Sequence, residues 1–203
     1  MTEAVAGALT GGPKLSGRGA ARRSELFDDL VALLLREGFA QLTLDDVAAR
    51  LRCSKRTLYG IASSKEQLVR AVVVHFFRNA TARVEAALAA ESAPVARLSG
   101  YLRAVAAELA PASPQFFDDV AAFEPAAEVY ERNTRAAALR VRQLIDEGVA
   151  AGAFREVHAA FAADVISSVM VRIQRRQVAA STGLADAAAY GHLTELLLHG
   201  LAR

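Results

Sequence analysis

Three helix-start signals crowd into residues 43–67. Thr43 is followed by Asp46 at capping-box spacing, Ser54 stands directly before Lys55, and Ser63 or Ser64 faces Glu66 or Gln67. The register of the last cap is open by one residue. Helices restarted this often have room for about two turns each. Such helices cannot bury an apolar face alone, so they must pack in a small bundle with longer neighbours. Alanine is frequent throughout, β-branched runs are missing, and no Asn-Gly or Asp-Gly pair marks a hairpin. The fold class these features predict is all-α.

The apolar spacing between the caps supports this. Leu26, Phe27, Leu30, Val31, Leu34 and Leu35 recur at three-and-four spacing, and Gly38 with Phe39 ends that first helix. Leu44, Val47, Ala48 and Leu51 form one stripe over a short second helix, and Leu58 and Ile61 share a side of a third, running from Lys55 to about Ile61. A long fourth helix carries Leu68, Val69, Val72, Val73, Phe76, Phe77, Ala80, Val84 and Leu88 until Ser92 and Pro94 stop it. Further helices are expected at about 95–110, 115–123, 126–151, 158–180 and 186–199, which makes about nine in all. The organisation predicted is a mobile arm over 1–20, a compact unit of short helices over 21–67 and a larger helical body over 68–203.

Charge separates these regions. Residues 50–70 hold six cations, Arg50, Arg52, Lys55, Arg56, Lys65 and Arg70, against Glu66 alone, whereas 71–203 hold 13 arginines against 14 acids. A basic patch of this kind attracts phosphate. With 53% hydrophobic residues the chain can bury a sizeable core, and Cys53, its only cysteine, excludes an intramolecular disulfide and a cysteine-rich zinc site. The apolar run from Ala4 to Leu9 is too short, and too poor in basic residues, for a secretory leader. The longest weakly charged stretch, 157–171, falls short of the ~20 apolar residues a bilayer needs. A soluble, cytoplasmic protein without membrane contact is expected.

A compact pair of short helices in a three-helix unit is what a helix-turn-helix requires, because its second helix must project from a small core into the major groove. Leu44, Val47, Leu51, Cys53 and Leu58 supply the core side, which leaves Lys55, Arg56, Thr57, Tyr59 and Gly60 outward. Over about residues 22–78 the sequence resembles the TetR family of bacterial repressors. Gly38, Thr43, Ala48, Ser54, Thr57, Leu58, Tyr59, Ser64, Lys65, Glu66 and Leu68 fall on that family's pattern at unshifted spacing, with a looser echo at 148–155. The resemblance implies a dimeric, non-enzymatic, ligand-responsive repressor of double-stranded operator DNA. It implies that Thr43, Tyr59 and Lys65 contact phosphates and that Lys55, Arg56 and Gly60 face bases. Helix N-termini at Thr43 and Ser64 favour an anion, and Arg56 can present two donors to guanine. The candidate DNA-binding set is therefore Thr43, Arg52, Ser54, Lys55, Arg56, Thr57, Tyr59, Gly60, Ser64 and Lys65. This chain departs from the family with Arg52 in place of the usual turn glycine, Arg56 in place of a small residue, Ile61 in place of a phosphate-contacting histidine and Ala62 in place of phenylalanine.

In the larger body, Phe76, Phe77, Tyr101, Phe116, Phe117, Phe123, Tyr130 and Met170 are candidates to line a cavity for a small apolar effector, with Asp118 or Asp119 as a polar determinant. Phe161, Val165, Ile166, Val169 and Ile173, with Leu193, Leu196, Leu197 and Leu198, expose enough apolar surface on the helices at 158–180 and 186–199 to predict homodimerisation through a four-helix bundle. His192, Glu195 and His199 share a helix face but lack a metalloprotease arrangement, so no metal or other cofactor is assigned, and no nucleophile triad or phosphate loop anchors catalysis. The competing functional class is a helical small-molecule-binding or partner-binding module whose helix-turn-helix is vestigial.

Overall fold

A computed structural model of the chain describes residues 17–201, and these form ten α-helices without a strand: α1 Gly17–Glu37, α2 Leu44–Arg50, α3 Lys55–Tyr59, α4 Lys65–Ala89, α5 Pro94–Leu109, α6 Pro114–Ala122, α7 Glu124–Ala150, α8 Ala159–Gln174, α9 Gln177–Thr182 and α10 Asp186–Leu201. The arm expected over 1–20 lies outside the described residues up to position 16, and α1 already begins at Gly17. The caps form where the sequence places them. Thr43 caps α2 in a reciprocal capping box with Asp46, Ser54 caps α3 through the Thr57 amide, and Ser64 caps α4 through the Gln67 amide. Ser63 instead donates from both its amide and its hydroxyl to the Gln67 side chain, which settles the ambiguous register.

Two expectations are corrected. The third helix ends at Tyr59, with Gly60 as its cap, two residues before Ile61. The helix expected over 158–180 is two helices, because Arg176 takes a left-handed conformation (φ 59°) between α8 and α9, and so the described residues hold ten helices where about nine are expected. Neither glycine nor proline marks that break in the sequence.

Two apolar cores lie along the length of α4. The first gathers α1, α2 and α3 with the N-terminal part of α4 through Ala80, and it continues into α6 and the start of α7 through Phe116, Phe117, Val120, Val129 and Tyr130. The second begins at Val84 and joins the end of α4 to α5, α7, α8 and α10. The first core therefore continues across position 67. No described helix is long and apolar enough to cross a membrane.

Candidate nucleic-acid interface

Helix α3 is five residues long and buries a single side chain, Leu58, so its remaining residues face outward. It is held by its ends. The Ser54 hydroxyl accepts from the Thr57 amide at 3.1 Å and lies 2.9 Å from the Thr57 hydroxyl, while the Gly60 amide donates to the Arg56 carbonyl at 3.0 Å. Lys55 pairs with Asp45 of α2 at 2.6 Å across an exposed surface. Arg56 is exposed and makes no ion pair among the described residues, and Tyr59 is 53% exposed. Arg52, Ser54, Arg56, Thr57 and Gly60 line one cleft of about 540 Å³, whose other wall is the N-terminal part of α1 with Arg22 and Arg23. The two α1 arginines are absent from the candidate set. Their sequence signal is weak, because they stand at the edge of a segment without apolar periodicity.

Thr43 and Lys65 sit apart from that cleft. Hydrogen bonds from the Thr43 hydroxyl and amide hold the Asp46 carboxyl below its ordinary range, and Glu66 is lowered by its own backbone amide and the Ser64 hydroxyl. These acids complement the helix N-termini they occupy. The Lys65 ammonium donates to the Ala40 carbonyl at 2.8 Å, which ties the start of α4 to the turn between α1 and α2.

Helix α6 grips the same turn. The buried Asp119 carboxylate accepts from the Phe39 amide at 2.5 Å and the Ala40 amide at 2.7 Å, and its second oxygen accepts from Gln115 at 2.7 Å. The Ser113 amide donates to the Leu35 carbonyl at the end of α1 at 2.8 Å. Gly38 (φ 74°) permits this approach, since a Cβ there would stand 2.5 Å from the Asp119 carboxylate. The expected polar determinant of the cavity is thus committed to the turn, while Asp118 is exposed.

The larger body contains a cavity of about 470 Å³ between α5, α6, α8 and α10, with Arg103, Leu109, Phe117, Gln174, Asp186 and Tyr190 among its lining. A second, of about 320 Å³, lies between α4, α5 and α7 beside Phe77, Tyr101, Glu85 and Arg140. Tyr130 donates to the Gln174 carbonyl oxygen, and the Gln174 amide donates to the Tyr190 hydroxyl at 3.2 Å. Burial pushes Tyr101 and Tyr190 up to about 12, so both stay neutral at physiological pH. Met170 and Tyr130 border a narrow void of about 40 Å³. Phe76, Phe116 and Phe123 belong to an aromatic cluster instead, in which Phe39 meets Phe116 and Phe123 edge-on and Phe76 meets Phe116.

A model of the tetR family of bacterial regulatory proteins matches residues 26–72, from α1 into α4. The likeness to that family is carried by the unit of short helices at the N-terminal end of the described residues. The HTH-type transcriptional regulator YvaF of Bacillus subtilis is 54% identical over 44 residues, 22% of this chain, and the match spans only about a quarter (23%) of that relative's length. Solved structures extend the likeness of fold over about nine-tenths of the chain. A Saccharomonospora viridis protein in complex with choline superposes with TM-score 0.76 at 16% identity, over 91% of this chain and 99% of that one. The TetR family regulator PfmR of Thermus thermophilus gives 0.66 at 21% identity, over 88% and 99%. A TetR transcription regulator of Haloarcula marismortui gives 0.74 at 15% identity, over 91% and 100%.

Proposed function

We propose that this chain is a homodimeric transcriptional repressor of the TetR kind that binds a palindromic operator and leaves it when a small, mainly apolar effector enters the helical body. The observation that carries the DNA-binding part is α3 itself, which invests only Leu58 in the core and turns Arg56, Thr57 and Tyr59 to solvent. Residues 21–67 form the reading unit and 68–203 the effector-binding and dimerisation unit, at work in the bacterial cytoplasm, where the operator is. In this reading Arg56 and Lys55 reach base edges, while Thr43, Tyr59, Ser64 and the N-terminus of α4 meet phosphates. Lys65 has a double duty: it steadies the α1–α2 turn and adds charge beside the Ser64 cap.

Dimerisation is supported by apolar side chains exposed on α8 and α10, with Phe161 at 69%, Val165 at 41% and Leu196 at 73% exposure. Ile166, Ile173 and Leu193 are buried within the protomer and serve its own core. Effector binding is supported by the 470 Å³ cavity, and the complex of a neighbour of the same fold with choline fits a small-molecule site in this kind of helical body. That cavity touches Phe117 of α6, and α6 grips the α1–α2 turn, so ligand-driven motion has a route to the reading helices besides the swing of α4. A coupling of ~1–3 kcal/mol suffices to switch occupancy.

Selecting bound duplexes from a random DNA pool tests this function. A palindrome with half-sites about one helical turn apart is the expected product. Arg56→Ala should then relax preference at one operator position by ~1–3 kcal/mol. Recovery of no enriched sequence would favour a vestigial helix-turn-helix.

A further inference from the structure

Helix α2 ends in a Schellman turn. The Cys53 amide donates to the Ala48 carbonyl at 2.9 Å and the Arg52 amide to the Ala49 carbonyl at 3.2 Å, which places Arg52 in the left-handed region at φ 50°. This position favours glycine, because a side chain there crowds its own backbone. The corresponding turn after α7 uses Gly152, at φ 70°. The other left-handed arginine, Arg176, has a local compensation in its ion pair with Asp186 at 2.8 Å. Arg52 has none: its side chain is exposed, and among the described residues it makes neither an ion pair nor a side-chain hydrogen bond. A strained residue that repays nothing inside the protein points to a role outside it.

The surroundings say what that role is. Arg52 shares its cleft with Arg22 and Arg23 of α1, both exposed and without an ion pair among the described residues, and with Arg56 of α3. Glu25 and Asp29 also line the cleft, so four cations stand against two acids. The lining is mixed, with Ser54 and Thr57 hydroxyls beside the guanidiniums, which suits a chain of phosphates better than an apolar ligand.

We infer that the cleft between α1 and the α2–α3 turn is a second seat for the DNA backbone, in which Arg52, Arg22 and Arg23 clamp phosphates flanking the groove that α3 enters. This rests on the DNA-binding reading above and adds a phosphate site to it. The turn sets the left-handed backbone, and arginine in place of glycine there adds a cation to the wall of the cleft. The contact is to phosphate, so it strengthens binding to all duplex DNA alike.

The test measures affinity for a mixed-sequence duplex as a function of salt, beside the melting temperature, in the full chain. Arg52→Gly should leave the melting temperature unchanged or raise it, yet lower the slope of log affinity against log salt by about one per bound protomer. Arg52→Gln should show the same loss of slope, Arg52→Lys should retain the parent slope, and Arg22→Gln with Arg23→Gln should lower it further. An unaltered slope in Arg52→Gln, or an Arg52→Gly protein that melts below the parent, overturns the clamp. A parent protein with no salt-dependent DNA affinity overturns the DNA-binding reading itself.

Discussion

Helices α3 and α6 begin alike and end in opposite roles. Each is short and opens on a serine whose hydroxyl accepts a backbone amide, Ser54 from Thr57 and Ser113 from Phe116. Helix α3 then buries only Leu58, whereas α6 buries Phe116, Phe117, Asp119 and Val120. A helix held by its ends keeps its face for a partner. A helix held by its face becomes part of the body and can pass motion between the things it touches.

The contrast can be broken most forcefully in α6. Phe116→Ala removes a ring that is 1% exposed and meets Phe39, Phe76 and Phe117, and it should cost about 3–5 kcal/mol in urea unfolding. Asp119→Ala strands the amides of Phe39 and Ala40 and should cost about 2–4 kcal/mol, with Asp119→Asn milder because it keeps one acceptor. In α3 the largest stability effect belongs to the cap: Ser54→Ala should cost about 1 kcal/mol and speed amide exchange at Thr57 and Leu58. Arg56→Ala should change stability by no more than about 0.5 kcal/mol while altering DNA preference. If Arg56→Ala proved as destabilising as Phe116→Ala, α3 would be part of the core and the contrast would fail.

Acid gives the subtlest test. The Asp46 carboxyl is lowered in the folded state, so its contribution is fully present above the unfolded value of about 3.9 and is lost as pH falls through the folded one. Glu66 acts in the same direction at α4. Acidification should loosen the starts of α2 and α4 before the aromatic core yields, and Asp46→Asn should remove the α2 part of that response in amide exchange.

The N-terminal half is legible in the sequence because its structure is decided over three or four residues. Thr43 with Asp46, and Ser54 and Ser64 with the amides three residues on, bond within their own turn, and the stripe through Leu44, Val47 and Leu58 needs no distant knowledge. Beyond α4 the deciding contacts are remote. Asp119 looks like a cavity acid in the sequence, but its partners lie about 80 residues away, at Phe39 and Ala40. Phe76 and Phe116 satisfy the amphipathic pattern equally well as pocket walls or as stacked core, and their packing on each other, with Phe39 against Phe116, depends on contacts the local pattern does not carry. The break at Arg176 is hidden for a related reason, since the Arg176–Asp186 pair joins residues on either side of α9. Lys65 reads as a phosphate ligand, while its bond to the Ala40 carbonyl depends on a turn 25 residues upstream.

Gly38 makes the absence of one methyl group a dimension of the molecule. The gap between α6 and the turn ahead of α2 is as narrow as a bare hydrogen allows, with Asp119 and Gln115 filling the space a side chain would take. Any residue but glycine at 38 is a shim driven between α6 and that turn, and the thickness of the shim is at the experimenter's choice. Alanine, serine and valine in turn would give a graded series of tilts, from which the stiffness of the joint could be measured.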